Sequence, residues 1–197
     1  MKKFFLILMA IAATMTVTSC KCCSSRCKNA EPADTECCTA ETVTPVDVIE
    51  KYLVDVIAPG YTPGEFSIPV TVYSSIDDSN PEEPVVLGNF WILNYNQAGD
   101  TLKCVSGGNH AGKIQLKKAE DGSLSVAGFE QVEDGSGFTA SAKSIFGDLY
   151  DAFAAAYSNQ DLRDELIKEA ITSFVKKNDL PVNYYQDYGW PAVKIDR

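Results

Sequence analysis

Residues Val85–Leu116, VVLGNFWILNYNQAGDTLKCVSGGNHAGKIQL, constrain this chain more than any other stretch. Val85 to Asn96 is rich in β-branched and aromatic residues and long enough for a strand that crosses a whole sheet. Gln97-Ala98-Gly99-Asp100 supplies a tight turn, and Thr101 to Gly107 reads as the returning strand. Gly108 to Gly112 is expected to turn or bulge, and Lys113 to Lys118 runs out again. Asp121-Gly122 makes another hairpin, with Ser123 to Glu133 as its second arm. Short connections force sequential strands to pair antiparallel, so the stretch predicts a meander of four to five strands.

Flanking segments supply helices. Thr44-Pro45-Val46-Asp47 is a helix start, with a hydroxyl cap, proline at the first helical position and an acid in the first turn. Val46, Ile49, Leu53, Val56 and Ile57 then share a face, and Pro59-Gly60 ends the helix. Between this helix and the meander, Glu65 to Ile76 alternates as a strand, and Pro69 marks it as an edge. After the meander, Phe138, Ala142, Ile145, Phe146, Leu149 and Phe153 form one helical stripe. Ser158-Asn159-Gln160-Asp161 opens another helix, carrying Leu162, Leu166, Ala170, Ile171 and Phe174. Beyond Pro181 the tail holds Tyr184, Tyr185, Tyr188 and Trp190, too many aromatics to dangle in water, which predicts docking on the sheet or on a helix. The expected fold class is α+β, over residues 44–197.

The first 43 residues are of another kind. Lys2 and Lys3 precede an apolar run from Phe4 to Val17, shorter than the roughly 20 residues of a membrane-spanning helix. Val17-Thr18-Ser19-Cys20 follows, and this segment resembles the lipobox of bacterial lipoproteins. That resemblance implies cleavage before Cys20, a diacylglycerol on its sulfur, and a membrane-tethered protein in the bacterial cell envelope whose folded part lies outside the cytoplasm. Residues 1–19 are then a signal peptide. Residues 20–43 read as a flexible, Cys-rich tether with too little apolar surface to fold. Its cysteines, Cys22, Cys23, Cys27, Cys37 and Cys38, do not follow the spacing of a zinc ribbon and suit disulfides or lipidation better than a metal.

Charge and missing motifs exclude much. Seventeen Lys and Arg stand against 27 Asp and Glu, a net charge of -10 that repels nucleic acid. The four acids of Asp77 to Pro84 lack the pattern of a calcium-binding loop. His110 is the only histidine, sits between glycines and has no evident partner base or nucleophile. Cys104 reads as a small apolar strand residue. No cofactor or metal site is expected.

A leading helix, a meander and helices on one face resemble the cystatin-like and NTF2-like α+β folds. The runs GNFWILNYNQAGDTLKCVSGG, AGKIQLKK, KSIFGDLYDAF and YYQDYGW further resemble uncharacterised envelope domains of gut-type bacteria, a likeness that implies no catalytic residues. The sequence thus predicts a lipid-anchored, non-enzymatic binding module. Its partner, an envelope protein or a small molecule, is expected at a surface built from Trp91, Tyr95, His110, Tyr184, Tyr185, Tyr188 and Trp190. The rival is an isomerase or hydrolase with an NTF2-like cone, in which Trp91, Tyr95, Tyr150 and Tyr157 surround Asp148 or Asp151. A further alternative is metal handling by the Cys-rich tether.

Overall fold

Thr44 caps the first helix as its sequence demands. The Thr44 hydroxyl accepts from the Asp47 N–H, and the Asp47 carboxylate accepts from the Thr44 N–H, closing a capping box. These hydrogen bonds also hold the Asp47 carboxyl below its ordinary pKa. The computed structural model describes residues 43–196, so Cys20 and the five tether cysteines lie outside the described residues. Helix α1 (Pro45–Tyr52) runs into a π-turn at Leu53–Ile57 and a 3₁₀ turn at Ala58–Gly60. The wider π-turn rotates the apolar stripe, so Val56, expected to be inward, is 56% exposed while Ile49 and Leu53 are fully buried.

A six-stranded sheet follows. Strand β1 (Phe66–Asp77) lies at one edge, as Pro69 requires, and pairs antiparallel with β2 (Val85–Ala98). Gly99, at φ +65°, and Asp100 form the two-residue turn into β3 (Thr101–Lys118). Strand β4 (Leu124–Gln131) pairs antiparallel with the C-terminal part of β3. The turn or bulge expected at Gly108–Gly112 is not there; the one irregularity against β2 falls earlier, at Val105. Residues 101–118 form one strand, and the glycines there serve close approach instead. A Cβ on Gly112 would run into the Glu130 carbonyl of β4, and one on Gly108 into the Tyr61 hydroxyl.

The tail makes the sheet mixed rather than a pure antiparallel meander. Strand β5 (Tyr184–Gln186) pairs parallel with Thr101–Lys103 of β3, and β6 (Val193–Lys194) pairs antiparallel with β5. A short parallel strand is possible here because the chain returns through three helices, long enough for the crossover that parallel pairing needs.

Alternation along β2 divides the core. Val86, Phe90 and Ile92 face α1, packing with Ile49, Leu53, Ile114 and Leu116. Trp91 and Leu93 point the other way, towards the last helix. The helices therefore occupy both faces of the sheet, not one. The predicted single stripe after the sheet is two helices, α2 (Phe138–Phe146) and α3 (Tyr150–Tyr157). Gly147, at φ +51°, breaks them and folds Phe146 onto Phe153, whose rings stack at 3.8 Å. Helix α4 (Gln160–Lys177) is capped by Asn159, whose side chain accepts from the Leu162 N–H. Its buried face is Ile167, Ile171 and Val175; of the predicted face, Ile171 is fully buried, while Leu166, Ala170 and Phe174 flank it partly buried.

Replacing Gly112 with Ala is expected to destabilise the fold by roughly 1–3 kcal/mol, because the obstacle is backbone and β4 must shift. Urea unfolding, monitored by circular dichroism, checks it. Thr44→Ala is expected to cost about 1 kcal/mol in the same assay through loss of the cap.

Candidate functional site

The aromatic tail does dock, and docking builds a groove. Leu102 and Tyr185, partners in the β3–β5 register, are both buried, which seats β5 against α4. Past β5, the Trp190 N–H donates to the Asp187 carbonyl (3.1 Å), closing a turn in which Gly189 takes φ +77°. The Gln186 side-chain amide donates to the Trp190 carbonyl at 2.8 Å and holds the loop from the other side. A groove of about 710 Å³ lies between this loop and the N-terminal half of α4. Ile167, Tyr185, Pro191 and Val193 give it an apolar lining, while Arg163, Asp164 and Asp187 supply charge.

Asp187 is the ordered polar group of this groove. The Tyr95 hydroxyl donates to its Oδ1 at 3.0 Å, and Tyr95 itself is completely buried on β2. Burial, with the neighbouring Asp187 charge, pushes the Tyr95 phenol far above its ordinary pKa, so it stays a donor. Burial and the same carboxylate raise Tyr185 to about 12. Both phenols are therefore neutral at physiological pH. On α4, Arg163 pairs with Asp164 at 3.0 Å, and the Gln160 amide donates to the same carboxylate oxygen at 3.1 Å. Trp190 on the groove wall is 71% exposed, and Tyr188 of the same loop, outside that wall, is 92% exposed.

The residues expected from sequence to share one surface are thus separated. Tyr95, Tyr185 and Trp190 meet at the groove, Tyr95 acting through Asp187. Trp91 is buried on the sheet, lining a different space with Asn89, Phe153, Tyr157 and Leu166. His110 lies on the α1 side, where the Tyr61 hydroxyl is 2.9 Å from Nε2 and the Gln131 side-chain oxygen 2.8 Å from Nδ1. That chain holds the imidazole between a phenol and an amide. Sequence reading missed Asp187, Arg163 and Asp164. A polar residue among tail aromatics is a weak signal for the first, and none exists for a helix that meets the tail only in three dimensions.

Nor do the cone residues assemble. Trp91 and Tyr157 share a cavity of only about 10 Å³, room for a water molecule and no substrate. Tyr150 lies under the Lys143 ammonium, 5.2 Å from its ring centre, and Asp148 and Asp151 are exposed to solvent. Cys104 is half-buried beside Ser106, its thiol raised above the ordinary pKa by burial and by Asp187. Among the described residues, no three His, Cys, Asp or Glu side chains are grouped to hold a metal. None of the described helices is long and apolar enough to cross a membrane. No protein-family model, curated protein or solved structure matches the chain.

Tyr95→Phe is expected to lower stability by about 1 kcal/mol, the net worth of a buried hydrogen bond, and to loosen the Asp187–Trp190 turn. Denaturant unfolding measures the first effect. Faster amide exchange at Trp190, whose N–H closes the turn, measures the second.

Proposed function

We propose that this protein is a lipid-anchored component of the bacterial cell envelope whose ordered domain is a non-enzymatic binding module. The basic start, apolar run and Val17-Thr18-Ser19-Cys20 support attachment through a lipid on Cys20, with the domain outside the cytoplasm. The groove between α4 and the C-terminal loop carries the binding reading. Its exposed Trp190, beside the buried ring of Tyr185, is the kind of side chain that contributes most at binding surfaces, since it buries large rigid area at small entropic cost. Asp187, oriented from beneath by Tyr95, gives that apolar surface one directional acceptor. A ligand with an apolar face and a hydrogen-bond donor fits this arrangement, whether a small molecule or a side chain of an envelope protein. Kinship with cystatin-like or NTF2-like folds is supported by the order of helix, meander and helices. The placement of α1 opposite α2–α4 counts against it.

Native mass spectrometry of the full chain, purified gently from the producing cell, tests the reading. A retained ligand or partner is expected, and its occupancy should fall about tenfold or more in Trp190→Ala, the loss of an aromatic anchor. Retention unchanged in that variant would overturn the groove as the site. Separately, Cys20→Ser is expected to move the protein from the membrane pellet to the soluble fraction.

A further inference from the structure

Strand β3 is paired along one edge and interrupted along the other. Strand β2 pairs with it from Thr101 to Gln115, apart from a bulge that leaves Val105 without a β2 partner. On the opposite edge, β5 takes Thr101–Lys103 and β4 takes Gly112–Lys118, and the Val132 N–H donates to the Ala111 carbonyl at 2.8 Å. Among the described residues, no strand pairs with Cys104–His110 on that side. At roughly 3.3 Å per residue the opening is about 20 Å long.

The open run presents backbone chemistry. Hydrogen-bonding direction alternates along an antiparallel strand, and the Ala111 carbonyl points to the outer edge. Asn109 and Gly107, two and four residues earlier, therefore turn their N–H and C=O groups outward too, and both residues are exposed. Gly107 brings no side chain to obstruct an incoming strand. Paired polar backbone continues at both ends, so the run is a missing segment of an otherwise complete edge.

The geometry also selects the occupant. Strands β4 and β5 both run towards the gap and stand beside it, so the slot is recessed. The sheet edge of a second copy of this chain would meet those strands before reaching β3. A single extended segment of about six residues enters freely. Charge restricts it further: Asp187, bound by the Tyr95 hydroxyl of the residue paired with Cys104, stands at one end, and the exposed Glu133 and Asp134 follow Val132, which is bonded to Ala111, at the other. Lys103 is the only lysine or arginine between Thr101 and Gly112. We propose that Cys104–His110 is a docking slot for an extended segment of a partner protein with basic residues at its ends, added as a strand between β4 and β5. This surface meets the α4–tail groove only at β5 and Asp187, and Trp190 is not part of it.

The test adds a synthetic hexapeptide, acetylated and amidated Lys-Val-Thr-Val-Thr-Lys, to the full chain and reads amide exchange residue by residue. Exchange at Gly107 and Asn109 is expected to slow about tenfold or more, with the amides of edge strand β1 unchanged. Asn109→Pro removes an outward donor while leaving Gly108 and His110 to pair with β2, and should weaken peptide binding about tenfold. If that variant does not fold, the same peptide N-methylated at its central residues replaces it, and should not bind. Trp190→Ala should bind the peptide as the parent does. No binding at about 1 mM peptide, protection confined to other residues, or equal binding of the N-methylated peptide would each overturn the proposal. So would Gly107 and Asn109 amides already protected in the full chain before peptide is added, since a segment of the chain itself would then hold the slot.

Discussion

Strands β2 and β3 pair from the Gly99-Asp100 turn out to Val85 and Gln115, and each layer of the domain rests on that ladder. Because β2 alternates without exception from Val86 to Leu93, one strand supplies both cores: Phe90 and Ile92 to α1, Trp91 and Leu93 to α4. A slip of one residue would exchange the two sets and empty both cores at once. The register is held by backbone contact as much as by side chains. Gly88, Gly107, Gly108 and Gly112 all sit where a Cβ would meet neighbouring backbone or a ring.

The same ladder explains why the α4–tail groove sits at one end of the sheet. The two-residue turn leaves Thr101–Lys103 with a free outer edge next to the hairpin tip, and the C-terminal strand fills it. Burial of Tyr185 anchors that strand, and the loop beyond it must then cross above Tyr95. Asp187 is consequently placed by a residue 92 positions away in sequence. The turn at Gly189 carries Trp190 out beyond β5, where it is 71% exposed.

Several departures from the sequence reading share one cause. The glycine-rich run Gly107–Gly112 reads as a turn because isolated glycines most often mark φ > 0. Here close packing against Tyr61 and β4 uses them inside a strand, and that need is invisible until the neighbours are known. The π-turn at Leu53–Ile57 turned Val56 outward for a comparable reason, since helical periodicity presumes 3.6 residues per turn throughout. Gly147 shows the converse: a glycine inside an apparently continuous stripe was the break. Of the tail aromatics, the docking of Tyr185 was legible because large aromatics near a chain end seek cover, while Tyr188 and Trp190 stay exposed. Their separation from Trp91 and His110 was not legible, because it depends on which sheet face each residue takes.

What the sequence determined by itself is local. The cap at Thr44, a helix start within Ser158–Asp161, the edge placement demanded by Pro69, the turns at Gly99 and Gly122, and strand alternation all follow from backbone sterics and hydrogen bonding within a few residues. Its first twenty residues likewise carry the expectation of a lipid anchor without reference to any fold. Only the tertiary structure decided that helices cover both sheet faces, that β5 lies parallel to β3, that Tyr95 holds Asp187, and that β3 keeps an open run at Cys104–His110. Those features are long-range pairings, and their energies come from burial and contact between segments whose separation in sequence records nothing of their meeting in space.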